Sequence, residues 1–142
     1  MTDLRGLLGL LARFGLAGLA NTAVGYAVIL GLQNGLHLQP WLANVGGYVV
    51  GIGMGFALNR KFVFASEGRA QGEFLRYLVV ILIAFAANQA MLAVALRFGV
   101  EKNLAQLCGM VTYTALTFVL SRYFVFSRAS SASAAGQSAS KT

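Results

Sequence analysis

Phe56-Ala57-Leu58-Asn59-Arg60-Lys61-Phe62-Val63-Phe64 returns sixty-two residues later as Phe118-Val119-Leu120-Ser121-Arg122-Tyr123-Phe124-Val125-Phe126. Each copy closes a long apolar stretch and ends in Arg-x-Phe-Val-Phe. A duplicated unit of this kind implies an integral membrane protein built from two repeats. Its arginines then fall where a hydrophobic span meets water.

Working outward, the composition agrees. With 58% apolar and 11% charged residues and a single proline, the chain is too apolar for a soluble domain of 142 residues. Its mean hydropathy is +0.71. A helix needs about 20 mostly apolar residues to cross about 30 Å of hydrocarbon. Four windows meet this need, at about residues 14–32, 41–58, 77–96 and 104–120, and none contains Asp, Glu, Lys or Arg. The second and fourth are short and are expected to borrow length from the Phe-rich motif after them. The fold expected is all-α and polytopic, four transmembrane helices filling residues 1–128. Beyond it, residues 129–142 form a polar Ser/Ala-rich tail with nothing to bury, expected to be disordered. A cleavable signal peptide is disfavoured. The apolar run at residues 7–11 is too short, Arg13 interrupts it, and the run beyond is span-sized.

Charge placement sets the expected orientation. Arg5 and Arg13 precede the first span, Arg60, Lys61, Arg69 and Arg76 separate the second from the third, and Arg122, Arg128 and Lys141 follow the fourth. Only Arg97 and Lys102 fall on the other side. Basic residues accumulate in cytoplasmic loops, so both termini are expected in the cytoplasm, with Trp41 in the aromatic belt of the far interface. The net charge of +7 is thus mostly a topology signal. No nucleic-acid motif accompanies it, and no nucleic-acid partner is expected.

The duplication extends upstream. Asn44, Tyr48, Gly51, Gly55 and Asn59 follow a spacing that keeps them on one helical face, and Gln106, Met110, Tyr113, Thr117 and Ser121 repeat it. Each repeat contains two spans, so the repeats are parallel and any symmetry axis runs along the membrane normal. The odd spans align more loosely. Arg13-Phe14 and Arg76-Tyr77 open them, with Asn21 in one and Asn88 and Gln89 in the other. The distance from arginine to asparagine differs by four residues, about one turn.

These intramembrane amides have two readings. They bond neighbouring helices, worth about 0.6 kcal/mol on average, or with Asn59, Tyr113 and Ser121 they line a hydrated groove. Gly47, Gly51 and Gly55, like Ala17, Asn21 and Gly25, form small-residue ladders that let backbones approach. Arg13, Arg60, Arg76 and Arg122 come from the cytoplasmic ends of all four spans and would ring the bundle at headgroup depth. As plain anchors they snorkel to the interface. As a site they offer planar forks matched to phosphate on an anionic lipid.

Catalysis is poorly supplied. Asp3, Glu67, Glu73 and Glu101 all lie outside the spans, and His37 and Cys108 are far apart. No metal cluster, nucleophile triad or carboxylate pair can be assembled from them. Neither a catalytic residue nor a metal or other cofactor is expected.

The Arg-Phe…Asn opening, the motif at residues 59–64, Asn88 and the motif at residues 121–126 resemble the GtrA-like family over about residues 10–128. The resemblance implies a small four-span protein of the bacterial inner membrane associated with cell-surface polysaccharide synthesis. It implies translocation of a polyprenyl-phosphate-linked sugar, such as bactoprenol-linked glucose, from the cytoplasmic to the outer leaflet. Carried over, Arg60 and Arg122 are the motif arginines, and Asn21, Asn59 and Asn88 the motif amides. The second motif departs from the first by placing Ser121 where Asn59 stands.

The physical reading is compatible with that role. The arginines suit the phosphate, the polar stripe suits the sugar, and the outer surface suits the lipid tail. Four short helices cannot easily enclose a sugar path, so a homodimer or a complex with a membrane glycosyltransferase is expected. The alternative function is a non-transporting membrane partner that anchors or regulates a glycosyltransferase. A proton-coupled multidrug exporter is disfavoured, because no acid lies within a span.

Overall fold

The computed structural model describes residues 4–127, and the tail expected to be disordered lies outside them. The described residues are helical and contain no strand. They form α1 (Leu4–Asn34), α2 (Pro40–Leu58), α3 (Ala70–Arg97) and α4 (Lys102–Leu120). All four helices are long and apolar enough to cross a membrane. At 1.5 Å per residue α1 is about 46 Å long, more than the hydrocarbon requires. The part from Arg13 to Asn34 spans about 32 Å, which leaves the preceding turns at or beyond the interface.

Local chemistry explains the helix ends. Pro40 stands in the first turn of α2, where its missing N–H costs nothing. Glu101 caps α4: its carboxylate accepts from the backbone N–H of Asn103 (3.0 Å) and Leu104 (3.2 Å). At the end of α3, Gly99 takes a φ of +77°, and the Val100 N–H donates to the Ala95 carbonyl at 3.0 Å. That is a Schellman closure, for which glycine is suited.

The even helices end unusually. After Leu58 and after Leu120 the chain widens into a π-helical turn, Asn59–Val63 and Ser121–Val125. The closing bonds are equivalent. Phe64 N–H donates to the Asn59 carbonyl and Phe126 N–H to the Ser121 carbonyl, each at 2.9 Å. The duplicated motif is therefore a duplicated backbone conformation, and single π turns of this kind gather at functional sites. These turns carry the apolar helices on to Val63 and Val125.

Beyond the first π turn, Ser66 N–H donates to the Arg60 carbonyl at 2.8 Å, which requires Ala65 at a φ of +46°. A left-handed alanine costs about 1–2 kcal/mol relative to glycine. Glycine's greater freedom in the unfolded chain offsets part of this. Ala65→Gly is expected to stabilise the protein by about 0.5–1 kcal/mol, read as a higher unfolding midpoint in detergent. A lower midpoint would show that the left-handed turn is not adopted in solution.

The chain divides into two units, Met1–Ser66 and Glu67–Thr142, each with its own packed helix pair. In the first, α1 lies against α2 and its π turn; in the second, α3 lies against α4 and its π turn. The same file of positions, four residues apart, packs inward in both. It runs Ala43, Gly47, Gly51, Gly55, Asn59, Val63 in one and Ala105, Gly109, Tyr113, Thr117, Ser121, Val125 in the other. All are buried except the half-buried Gly51 and Tyr113. Small residues permit close approach where lipid supplies no hydrophobic drive between helices. A Cβ on Gly47 would lie 3.1 Å from the Gly25 carbonyl oxygen. Large apolar side chains such as Leu19, Leu82 and Val111 point outward, as a lipid solvent demands.

The inward file differs from the polar stripe expected from sequence. Its lower half, from Gly51 and Tyr113 to Asn59 and Ser121, is common to both. Asn44, Tyr48, Gln106 and Met110 are instead exposed, and Ala43, Gly47, Ala105 and Gly109 take their places.

Candidate functional site

Asn59 and Ser121 open the two π turns. Asn59 is 6% exposed and Ser121 is fully buried. The Asn59 amide donates from Nδ2 to the Gly55 carbonyl at 2.8 Å, while its Oδ1 has no partner. Ser121 Oγ is likewise buried without a partner. Hydroxyls in apolar helices ordinarily turn back on their own backbone. Thr22 does so to the Gly18 carbonyl and Thr112 to the Cys108 carbonyl, both at 2.9 Å. Ser121 does not. An unsatisfied buried polar atom costs about 1–3 kcal/mol, so its presence at the same place in both repeats asks for a reason.

The odd helices each supply one amide to the packed face. Asn21 reaches toward Gly51, its Nδ2 3.9 Å from where a Cβ would stand, and Asn88 lies directly over Gly109. Both Oδ1 atoms are buried without a hydrogen-bond partner. The two amides lie at different depths. Asn21 meets α2 eight residues before Asn59, and Asn88 meets α4 twelve residues before Ser121. Along the helix axis these are about 12 Å and about 18 Å from the motif. Asn88 and Gly109 occupy the places that Gly25 and Gly47 hold in the first unit, where Gly47 O is 3.8 Å from a Cβ on Gly25. The extra turn between Arg76 and Asn88 is thus a real displacement of the amide.

Tyr113 lies half-buried on the same file one turn from the buried Thr117, whereas Gln89 is exposed and turned away from it. Of the four candidate arginines, Arg60, Arg76 and Arg122 are half-buried and Arg13 is exposed, as are Arg5, Arg69 and Arg97. Partial burial thus sets Arg60, Arg76 and Arg122 apart from the exposed arginines. In the second unit Arg76 lies over the Phe124 ring, 6.0 Å from its centroid, and Arg122 over the Tyr123 ring at 5.3 Å.

Sequence reasoning passed over Glu73. It was placed only as an acid outside the apolar spans, and it is 4% exposed, the only buried acid among the described residues. Its position in the first turn of α3 suits the positive end of the helix dipole. The lone signal was its place one turn ahead of Tyr77, which is also buried. Among the described residues no group of three or more His, Cys, Asp or Glu could hold a metal ion.

What the arrangement offers is a set of acceptors and donors inside two apolar helix pairs, each ending at half-buried arginines. Such a set can bind hydroxyls within the membrane and an anion at its edge. Comparison with known proteins is in keeping with this chemistry. The chain is 27% identical over 124 residues to the bactoprenol-linked glucose translocase of Salmonella phage P22, an alignment covering 84% of this chain and 97% of that protein. Residues 13–126, from the arginine opening the first span to the last phenylalanine of the second motif, match the family described as GtrA/DPMS, transmembrane domain. The chain belongs to that GtrA-like family.

Proposed function

We propose that this chain moves a polyprenyl-phosphate-linked sugar between the leaflets of the bacterial inner membrane for cell-surface polysaccharide synthesis. The observation that carries the reading is the matched pair of unsatisfied buried groups, Asn59 Oδ1 and Ser121 Oγ, each next to a half-buried arginine. A sugar supplies the missing donors, and its phosphate suits the half-buried guanidinium groups, Arg60 in the first unit and Arg76 and Arg122 in the second. In the first unit Asn21 continues the polar file toward the membrane interior and Arg13 joins Arg60 at the cytoplasmic end; in the second, Asn88 and Tyr113 continue the file inward from Ser121. Gln89, outside the packed face, is assigned to a second copy in a homodimer, where its amide would find a partner. The relative's name speaks for translocation rather than for a non-transporting partner of a glycosyltransferase.

In this reading both termini are cytoplasmic, the repeats are parallel, and a membrane glycosyltransferase consumes or supplies the lipid-linked sugar. Transport in this reading follows a gradient or removal of product.

The test is reconstitution in liposomes with a fluorescent polyprenyl-phosphate sugar placed in one leaflet. Purified protein is expected to expose the label to an impermeant quencher far faster than protein-free liposomes. No acceleration would return the chain to an accessory role. The orientation is checked in cells with single cysteines in a Cys108→Ser background. Cysteine at Gln39 should label from outside and cysteine at Ser127 only after the membrane is opened. The reverse pattern would invert the mechanism.

A further inference from the structure

Two arginines of the second unit lie over rings of one π turn, and the contacts differ in kind. Arg122 and Tyr123 are neighbours in sequence, whereas Arg76 reaches from α3 to Phe124, joining two elements. A guanidinium over a ring face is held by its charge against the ring quadrupole. That attraction fixes the orientation of the planar group, whose fork geometry matches bidentate phosphate. Orienting a long flexible side chain in advance also lowers the ordering cost of binding.

The first unit reads differently at the same positions. Lys61 stands where Tyr123 stands, placing a like charge beside Arg60. Arg13, the counterpart of Arg76, is exposed, while Arg76 is half-buried. Phe62, the counterpart of Phe124, is 45% exposed against 49%, so the two rings present similar apolar area to lipid.

We propose that the second unit holds the phosphate clasp, formed by Arg76 and Arg122, and that Phe124 is the positioning residue that orients Arg76. The proposal rests on the reading of this chain as a binder of lipid-linked phosphate and narrows it to one repeat. Its ligand chemistry is a phosphate monoester or diester at headgroup depth. The π turn matters because it carries both rings and Arg122 in consecutive positions at the end of α4.

The test is a double-mutant cycle on the full chain in nanodiscs of zwitterionic lipid, titrated with fluorescent polyprenyl phosphate. Arg76→Ala and Arg122→Ala are each expected to weaken binding about tenfold, as loss of a charged hydrogen bond does. Phe124→Leu should weaken it about two- to fivefold, the scale of a cation–π contact. Phe124→Trp should restore binding, and Phe124→Leu should add nothing once Arg76 is alanine. Phe62→Leu should leave binding unchanged. If Arg76→Ala binds like the wild type, the phosphate reading itself fails. If Arg76→Ala weakens binding but Phe124→Leu is silent or additive with it, only the positioning role is overturned. Competition identifies the source of the phosphate. Displacement by unlabelled polyprenyl phosphate and not by equimolar inorganic phosphate supports the lipid-linked ligand, and equal displacement by both overturns it.

Discussion

Gly47→Val is expected to destabilise the first unit by about 3 kcal/mol or more, the upper range for overpacking a close-packed contact. A Cβ there would run into the Ile29 side chain and stand 3.1 Å from the Gly25 carbonyl oxygen. Ile29 can change rotamer, but the Gly25 backbone cannot move without α1 leaving α2. In a bilayer no hydrophobic term returns what the lost packing contributed, because lipid tails solvate the separated faces equally well. Gly53→Val is the matched control, since nothing lies within 4 Å of a Cβ at that position. It should change stability by less than about 0.5 kcal/mol. Unfolding in mixed detergent micelles would measure both. Equal behaviour of the two variants would mean that the close approach of α1 and α2 is not a source of stability.

The second large effect is on transport. Asn21→Leu and Asn88→Leu each remove a buried Oδ1 that has no hydrogen-bond partner. Removing an unsatisfied acceptor is expected to leave stability unchanged or raise it by about 1 kcal/mol. Transport in the same preparations should nevertheless fall by about tenfold or more, because the sugar meets an apolar wall where it needs an amide; a tenfold loss corresponds to about 1.4 kcal/mol of barrier. Asn88 lies tight over Gly109, so Asn88→Ala serves where leucine is too large. Under simple helix bonding the pattern reverses. Stability drops by about 0.6–1.7 kcal/mol and activity follows the folded fraction. Folded, fully active variants would remove the amides from the sugar path.

Much of the architecture was legible because its signals are long. Four apolar runs and a motif repeated at a constant interval survive any local ambiguity. The packed face was only half legible, for a physical reason. The glycine ladder from Gly47 to Gly55 marked it in the first unit, but the polar stripe also took in Asn44, Tyr48, Gln106 and Met110, all exposed. Helices in lipid select their contact face by smallness, so Ala43, Gly47, Ala105 and Gly109 were the better guides. The candidate site was legible where polarity and smallness coincide, from Gly51 to Asn59 and from Tyr113 to Ser121. Gln89 shows the limit. Its neighbour Asn88 packs against Gly109, but adjacent residues on a helix point about 100° apart, and Gln89 faces away. The π turns left no compositional trace, because a bond from residue i+5 uses the same backbone groups as one from i+4. Only the duplication marked the place. Glu73 was read only as an acid outside the spans, with nothing but its place one turn ahead of Tyr77 to announce that the fold buries it.

Residues 35–39 alone join α1 to α2, and residues 98–101 alone join α3 to α4. A ribosome delivers this chain from its N-terminus at about 5–20 residues per second. Once Ser66 has been added, every residue of the first helix pair exists, and the 60 residues needed to reach Phe126 take about 3–12 seconds. Local helix pairing is far faster than that. Gly25 can therefore settle on Gly47, with Asn21 enclosed beside Gly51, while Arg76 and its ring partner Phe124 are still unmade. Biogenesis of this protein divides into two successive hairpin insertions, each with its own membrane-spanning contacts to complete.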